Sequence, residues 1–369
     1  MRSDVSTVTL ETLGVLRARG PDAVSFLQGQ LSNDLTRLAT ERSLLAGYHN
    51  PQGRVIALLR VLQLAPADLL AVLPRELVPT VIARLSKFIL RAKVKLVDES
   101  QSWRITGLIA PVAAPPAAAL GALANGAETV AVQVAQQPAR WLLLTPAARS
   151  PLPDAGAAVP PEIWREAAIA AGEPQVYAAT SEEFVAQMLN LDVLGAIAFD
   201  KGCYTGQEVI ARAHYRGRVK RRVQRFVTPG QHALKPGDAG TLTDGRAFEV
   251  VDAVLRADGR CEFLAVAPLA AGDSESVATG AAIAERLDAE TLPLPYSLPS
   301  SPGSPRNCAS YCPAFARRAR QAQFLGVVLA GVPEKLRVLL FGVGSPSTAS
   351  AISWGGFSRW PPAACAERV

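Results

Sequence analysis

The chain is poor in the residues that staple small proteins or hold metals. Its 369 residues include five cysteines, three histidines and two methionines. The cysteines are odd in number and scattered at positions 203, 261, 308, 312 and 365. That argues against a disulfide framework and suits a reducing compartment. His49, His214 and His232 are too dispersed to suggest a metal centre. Cys308 and Cys312 lack the second ligand pair that a zinc site needs. No uninterrupted apolar run reaches bilayer length. The opening Met1-Arg2-Ser3-Asp4-Val5-Ser6 has no apolar core of a secretory signal. A cytoplasmic protein without a membrane segment is the expectation.

What is present is ordinary globular composition, 49% apolar and 19% charged, in a chain long enough for two or three domains. The net charge of +6 hints at nucleic acid, but its location undercuts the hint. Eight of the 38 basic residues and two of the 32 acidic ones lie beyond Leu298, so residues 1–298 are neutral. The bulk charge says little about what the main body binds.

In chain order, Val8 to Leu16 reads as a strand. A helix is expected from Asp22 to Leu38, with Gly29 inside it permitting close approach or ending one segment. Tyr48 to Gly53 reads as a hairpin turn, Val55–Leu62 and Leu69–Leu73 as buried strands, residues 75–91 as an amphipathic helix, and Val94–Val97 as a closing strand. That order suggests an α+β, ferredoxin-like unit over residues 1–100, completed by residues 160–215. Residues 101–159, with β-like Trp103–Ile109, Thr129–Val134 and Trp141–Leu144, read as a second small α+β module. Pro160-Pro161 open a helix carrying Trp164, and Glu182–Leu189 reads as another. From residue 216 to 292, short β-rich runs separated by Pro229-Gly230, Asp244-Gly245 and Asp258-Gly259 have the pattern of an antiparallel barrel. Residues 293–369 read as a Pro/Ser-rich, poorly ordered extension without function.

The most specific stretch is Lys201-Gly202-Cys203-Tyr204-Thr205-Gly206-Gln207-Glu208, followed by Val209-Ile210-Ala211-Arg212-Ala213. Thr205 and Glu208 have capping-box spacing, which places Cys203 two residues before a helix start on a backbone loosened by Gly202 and Gly206. Helix-start charge, with Lys201 and Arg212, favours the thiolate there. The plainer alternative is a buried small hydrophobe. Seven basic residues follow in fourteen positions: Arg212, Arg216, Arg218, Lys220, Arg221, Arg222 and Arg225. They fit an anionic ligand or a solvated strand face equally, because stacking aromatics are not interleaved along the run in the way single-stranded RNA binding favours.

This octapeptide with the following Ala-Arg-Ala resembles the signature of the YgfZ family of folate-binding proteins, relatives of the glycine-cleavage aminomethyltransferase (T-protein) that support iron–sulfur enzymes. The resemblance covers about residues 8–298. It implies a T-protein-like arrangement of α+β modules around a folate cavity, with tetrahydrofolate as cofactor and Trp164 as an aromatic contact. Leu13 stands where the family can carry a second aromatic. The resemblance further implies Cys203 as the reactive thiol with Lys201 beside it. Gly202, Tyr204, Thr205, Gly206, Gln207, Glu208 and Arg212 then build the loop and helix start. The aminomethyltransferase carboxylate would fall at Ala57 or Leu58, both apolar, so one-carbon transfer is not expected. Clusters generally need four protein ligands. Residues 1–298 offer two cysteines, so any iron–sulfur cluster at Cys203 is transient and shared with a carrier, a client protein or a small thiol. A monomer with an indirect link to tRNA-modifying enzymes completes the expectation.

Overall fold

The computed structural model describes residues 5–38, 43–111, 130–136, 138–149, 156–217, 219–269 and 286–299, all within Met1–Tyr311. The expected extension lies outside the described residues from position 300 onward, as do Arg218, Cys308, Cys312 and Cys365.

The first six strands are β1 (Ser6–Thr9), β2 (Leu13–Arg19), β3 (Leu44–His49), β4 (Val55–Ala65), β5 (Asp68–Pro74) and β6 (Lys95–Asp98). All but β1 form an antiparallel sheet of order β3-β4-β5-β2-β6. Helices α1 (Ala23–Gln28) and α2 (Val78–Ser86) belong to this unit. The unbroken apolar runs of β4 and β5 have a simple cause: the sheet is covered on both faces. Leu69, Ala71 and Leu73 point into one core, whereas Leu70 and Val72 point into another. Successive strand residues face opposite sides, so each core takes every second one.

The second sheet is built from β7 (Trp103–Ala110), β8 (Val130–Gln136), β9 (Ala139–Pro146) and β10 (Ala157–Ala158), in the order β10-β1-β7-β9-β8. Strand β1 thus leaves the expected first unit and pairs antiparallel with β7. Helix α3 (Pro161–Ala170) contacts β1 on one side, and β13 (Ala247–Leu255) and β14 (Cys261–Pro268) on the other. These two strands join β11 (Arg221–Val227), β12 (Ala239–Thr241) and β15 (Glu290–Leu292) in a third sheet, order β12-β13-β14-β11-β15. It is antiparallel around its own core of Phe226, Phe248 and Phe263. Among the described residues its edges are joined by one parallel bridge, Leu242 to Leu287, rather than by the full ladder of a closed barrel.

Three expectations are corrected. The helix expected over 22–38 ends at Gln28: Gly29 closes α1, and only a 3-10 turn, Leu35–Arg37, follows. The helix expected over 182–189 does not form. The amides of Glu182 and Val55 bond reciprocally to the carbonyls of Val55 and Phe184, which commits the segment to run beside β4. Glu182 and Asn190, at φ 67° and 56°, bound a run of turns instead. Finally, the described fold continues past 293. Tyr296 donates its hydroxyl to the Gly172 carbonyl at 2.7 Å, and Leu294 packs on the main core.

Candidate functional site

The signature loop is tied down at nearly every position except its thiol. At its start, the Lys201 ammonium donates to the carbonyls of Gln28, Leu31 and Asn33 at 2.6, 2.5 and 3.0 Å. Carbonyls beyond a helix C-terminus have no intrahelical partner, and a lysine is suited to collect them. The segment it grips is itself braced. Gln28 bonds Asp34 and the Leu35 amide, Asn33 donates to the carbonyls of Leu45 and Gly195, and Ser32 donates to Ala196. Burial pulls the Lys201 ammonium down to about 8, with Asp34 opposing the shift.

Tyr204 points inward, 7% exposed, within the main core. The Lys201 ammonium lies 5.1 Å from the centre of its ring. Burial pushes the Tyr204 hydroxyl up to about 12. Beyond it the backbone turns at Gly206, whose φ is +82°. A Cβ there would lie 2.6 Å from the Asn50 carbonyl oxygen and 3.0 Å from the Gly53 Cα, so only glycine lets the loop seat on the hairpin turn before β4. That turn is held by Asn50, which accepts from the amides of Gln52 and Arg54 and donates to Glu182. Arg84 pairs with the same Glu182 carboxylate.

Helix α4 (Gln207–Tyr215) starts after Gly206. The expected capping box is therefore corrected. Gly206, not Thr205, is the N-cap, no side chain caps the helix, and Cys203 stands three residues before the cap rather than two before the helix start. Ile210 is buried in the main core and Gln187 donates to its carbonyl at 2.7 Å, which fixes the helix against the body. Gln207 reaches the Lys201 carbonyl at 3.5 Å, while Glu208 and Arg212 face solvent. Gly202 and Cys203 are exposed, and a Cβ on Gly202 would meet nothing within 4 Å. The loop is a rigid frame that presents one free thiol to solvent. Cys261, by contrast, is 1% exposed in β14, and burial pushes its thiol up.

Next to this frame lies His49, 1% exposed, its imidazole packed against the Gly47 backbone. Its ring is 6.1 Å from that of Tyr204, and burial drags its pKa down to about 3. Trp164 belongs to a different neighbourhood. It packs on the second core, across Gly107, where a Cβ would sit 2.5 Å from its ring, and the Arg140 guanidinium lies 5.2 Å from the ring centre. Leu13 joins that same core, whereas Ala57 and Leu58 are buried in the main-core strand β4. Among the described residues no cluster of three or more His, Cys, Asp or Glu could hold a metal ion. No helix among them is long and apolar enough to cross a membrane.

The basic run divides into two kinds. Arg222 is buried and forked onto Asp192 at 3.0 and 2.9 Å, Arg225 pairs with Glu262 at 2.6 Å, and Arg221 donates to Val266. Arg212, Arg216 and Lys220 are exposed and, among the described residues, make no ion pair or side-chain hydrogen bond. Sequence reasoning missed two features. One is the Gln28–Asn33 cradle for Lys201, announced by the polar run Gln28 to Asp34. The other is an aromatic group beside the thiol loop, in which Phe199 stacks on His214 at 3.8 Å and 21°, with Tyr215 edge-on to His214 at 4.8 Å.

Comparison with known proteins bears on this arrangement. The chain is 31% identical over 235 residues to the tRNA-modifying protein YgfZ of Vibrio vulnificus, covering 60% of this chain and 70% of the relative. It belongs to the YgfZ family. The YgfZ protein of Cronobacter sakazakii is 29% identical over 318 residues, 80% of this chain and 94% of the relative. An uncharacterized protein of Haemophilus influenzae is 30% identical over 231 residues, 62% and 76% of the two chains. No family model matches. Among solved structures, aminomethyltransferase T of the glycine cleavage system from Bartonella henselae superposes with a TM-score of 0.57 at 15% identity, over 73% of this chain and 79% of that one. That likeness establishes the fold and nothing of the chemistry. The YgfZ-type frame around Cys203 therefore sits on an aminomethyltransferase fold.

Proposed function

We propose that the protein binds tetrahydrofolate and assists assembly or repair of iron–sulfur clusters through the Cys203 thiol. The observation that carries this reading is the exposed Cys203 on a loop anchored by Lys201, Tyr204 and Gly206. A cluster is cargo here. Cys203 is the one exposed cysteine among the described residues, so the remaining ligands come from a carrier, a client or a small thiol.

The residues present fit a folate. His49 has a buried imidazole that, among the described residues, makes no hydrogen bond to another side chain, and Tyr204 has a buried ring 6.1 Å from it. A pterin, flat and carrying donors and acceptors along its edge, would satisfy such groups. Trp164 would meet the ligand only through the part of its ring that Gly107 and Arg140 leave uncovered. Folate-dependent aminomethyl transfer is disfavoured because Ala57 and Leu58 are sealed in the core where a carboxylate would be needed. A second reading, an accessory role in tRNA modification, is supported by the names of the Vibrio and Cronobacter relatives.

The test is complementation in a bacterium lacking its own homologue, with cluster-enzyme activity as readout. Cys203→Ser is expected to abolish rescue while leaving the thermal unfolding curve unchanged. Full rescue by that variant would overturn the reading. Folate binding is tested separately by equilibrium dialysis, with His49→Phe expected to weaken it.

A further inference from the structure

The aromatic group beside the thiol loop is unusual for a surface. Phe199 is half-buried on the main core, and His214 stacks flat against it, yet His214 is itself exposed. The ring stack therefore begins in the core and ends in solvent. Tyr215, 68% exposed, stands at 84° to His214 and makes a perpendicular wall beside it. An inner parallel ring, an outer ring open to solvent and a wall at right angles form a corner on which one further flat ring can stack.

The charges on α4 and just after it have one sign to spare. Arg212 and Arg216 flank His214 and Tyr215 in sequence on α4 and its C-cap, and Lys220 follows. All three are uncommitted among the described residues, whereas the nearby acids Asp192 and Asp200 are held by Arg222 and Arg37. Glu208, at the other end of α4, is the remaining exposed acid of the helix. Partial burial lowers the His214 pKa, helped by Arg222 and opposed by Asp192. A stacked imidazole with uncommitted cations near it in sequence suits a base with its phosphates better than it suits a carboxylate.

We propose that this corner binds an unpaired nucleotide of an RNA strand, stacking one base on His214 against Tyr215 while Arg212, Arg216 and Lys220 meet the flanking phosphates. Aromatic platforms with tracking cations are the common physical solution for single strands, whose bases are free to stack. Cys203 stands four positions after Phe199, a span of at most about 14 Å. The proposal deepens the tRNA-accessory reading above by naming the strand type and the surface, and it does not depend on the thiol chemistry.

The experiment is fluorescence anisotropy on the full chain with a labelled single-stranded 12-nucleotide RNA, its duplex form, and polyglutamate as competitor. Single-stranded RNA is expected to bind in preference to duplex. Tyr215→Ala should weaken binding about tenfold and Tyr215→Phe should restore it. Replacing both Arg212 and Arg216 by Ala should flatten the slope of log affinity against log salt by about 1.4, at ~0.7 per lost contact. Tyr215 is on the surface, so its loss leaves folding intact. Absence of RNA binding, indifference to Tyr215→Ala, or equal displacement by polyglutamate (the mark of an acidic protein partner) would each overturn the proposal. Failure here with Cys203→Ser still defective in complementation removes the RNA surface alone, and leaves the thiol reading standing.

Discussion

Lys201 discriminates between two accounts of the signature. In one it acts on the thiol; in the other it anchors the loop. Its ammonium makes three charge-assisted bonds to carbonyls of Gln28, Leu31 and Asn33. Bonds of this kind contribute ~1.5–3 kcal/mol each when counted singly. They share one ammonium, and part of their worth is offset by its desolvation, so the whole set is expected to be worth ~2–4 kcal/mol. Lys201→Met keeps the stem and deletes the donors, so it should lower stability by that amount, or Tm by roughly 3–6 °C for a protein of this size. Urea unfolding gives the energy, and iodoacetamide labelling read by peptide mass spectrometry gives the reactivity of Cys203 apart from the other cysteines. A second signature concerns pH. The ammonium titrates near 8 in the folded state against 10.5 when free. Between those values the unfolded chain holds more protons, so wild-type stability rises with pH across that window and the variant lacks the rise. The neutral amine can still donate two bonds, which is why the anchor survives deprotonation. A stability loss under ~0.5 kcal/mol with a large fall in Cys203 labelling would refute the anchoring account.

Three further outcomes follow from neighbouring residues. Gly206→Ala forces a Cβ against the Asn50 carbonyl at a left-handed φ, so it should cost ~1–3 kcal/mol and alter the Cys203 labelling rate; an unchanged melting curve would contradict the seating described. His49 is neutral in the fold down to about pH 3, against an ordinary value of 6.5. Stability should therefore fall by ~1.4 kcal/mol per unit as pH drops below 6.5, and urea midpoints of His49→Phe should lack that component. Glu249 is held up to about 7 by burial and then by the neighbouring Glu183, so its contribution is present below pH 4.5 and lost as pH rises through 7. Glu249→Gln should accordingly melt higher than wild type at pH 8 and alike at pH 4; equal melting at both would count against it.

Much of the fold was legible in the sequence because it rests on local periodicity. The β4–β5 hairpin and α3 after Pro160-Pro161 appear where apolar spacing and helix-start residues put them, and α2 fills Val78–Ser86 of the helix expected over 75–91. What was not legible depends on partners distant in the chain. Ser6–Thr9 reads as part of the first unit until its pairing with β7 is seen. Glu182–Leu189 has helical spacing, yet two long-range backbone bonds to Val55 outweigh a propensity worth tenths of a kcal/mol per residue. The site shows the same division. The signature announces that Cys203 matters, but Lys201 reads in the sequence as an electrostatic partner of the thiol, when its geometry is mechanical.

That mechanical reading changes what the signature requires. A frame that grips three carbonyls with Lys201, buries Tyr204 and needs glycine at 206 to clear a hairpin turn constrains position far more than charge. Holding one thiol still in solvent matters when a partner must find it at a fixed place, because each degree of freedom removed beforehand is one not lost on docking. Arg212, His214 and Tyr215 lie on the helix whose first turn the same frame sets, and Arg216 and Lys220 follow it. Loosening the frame should therefore weaken docking and thiol chemistry together. Removing the thiol should affect the chemistry alone, and removing the corner should affect docking alone.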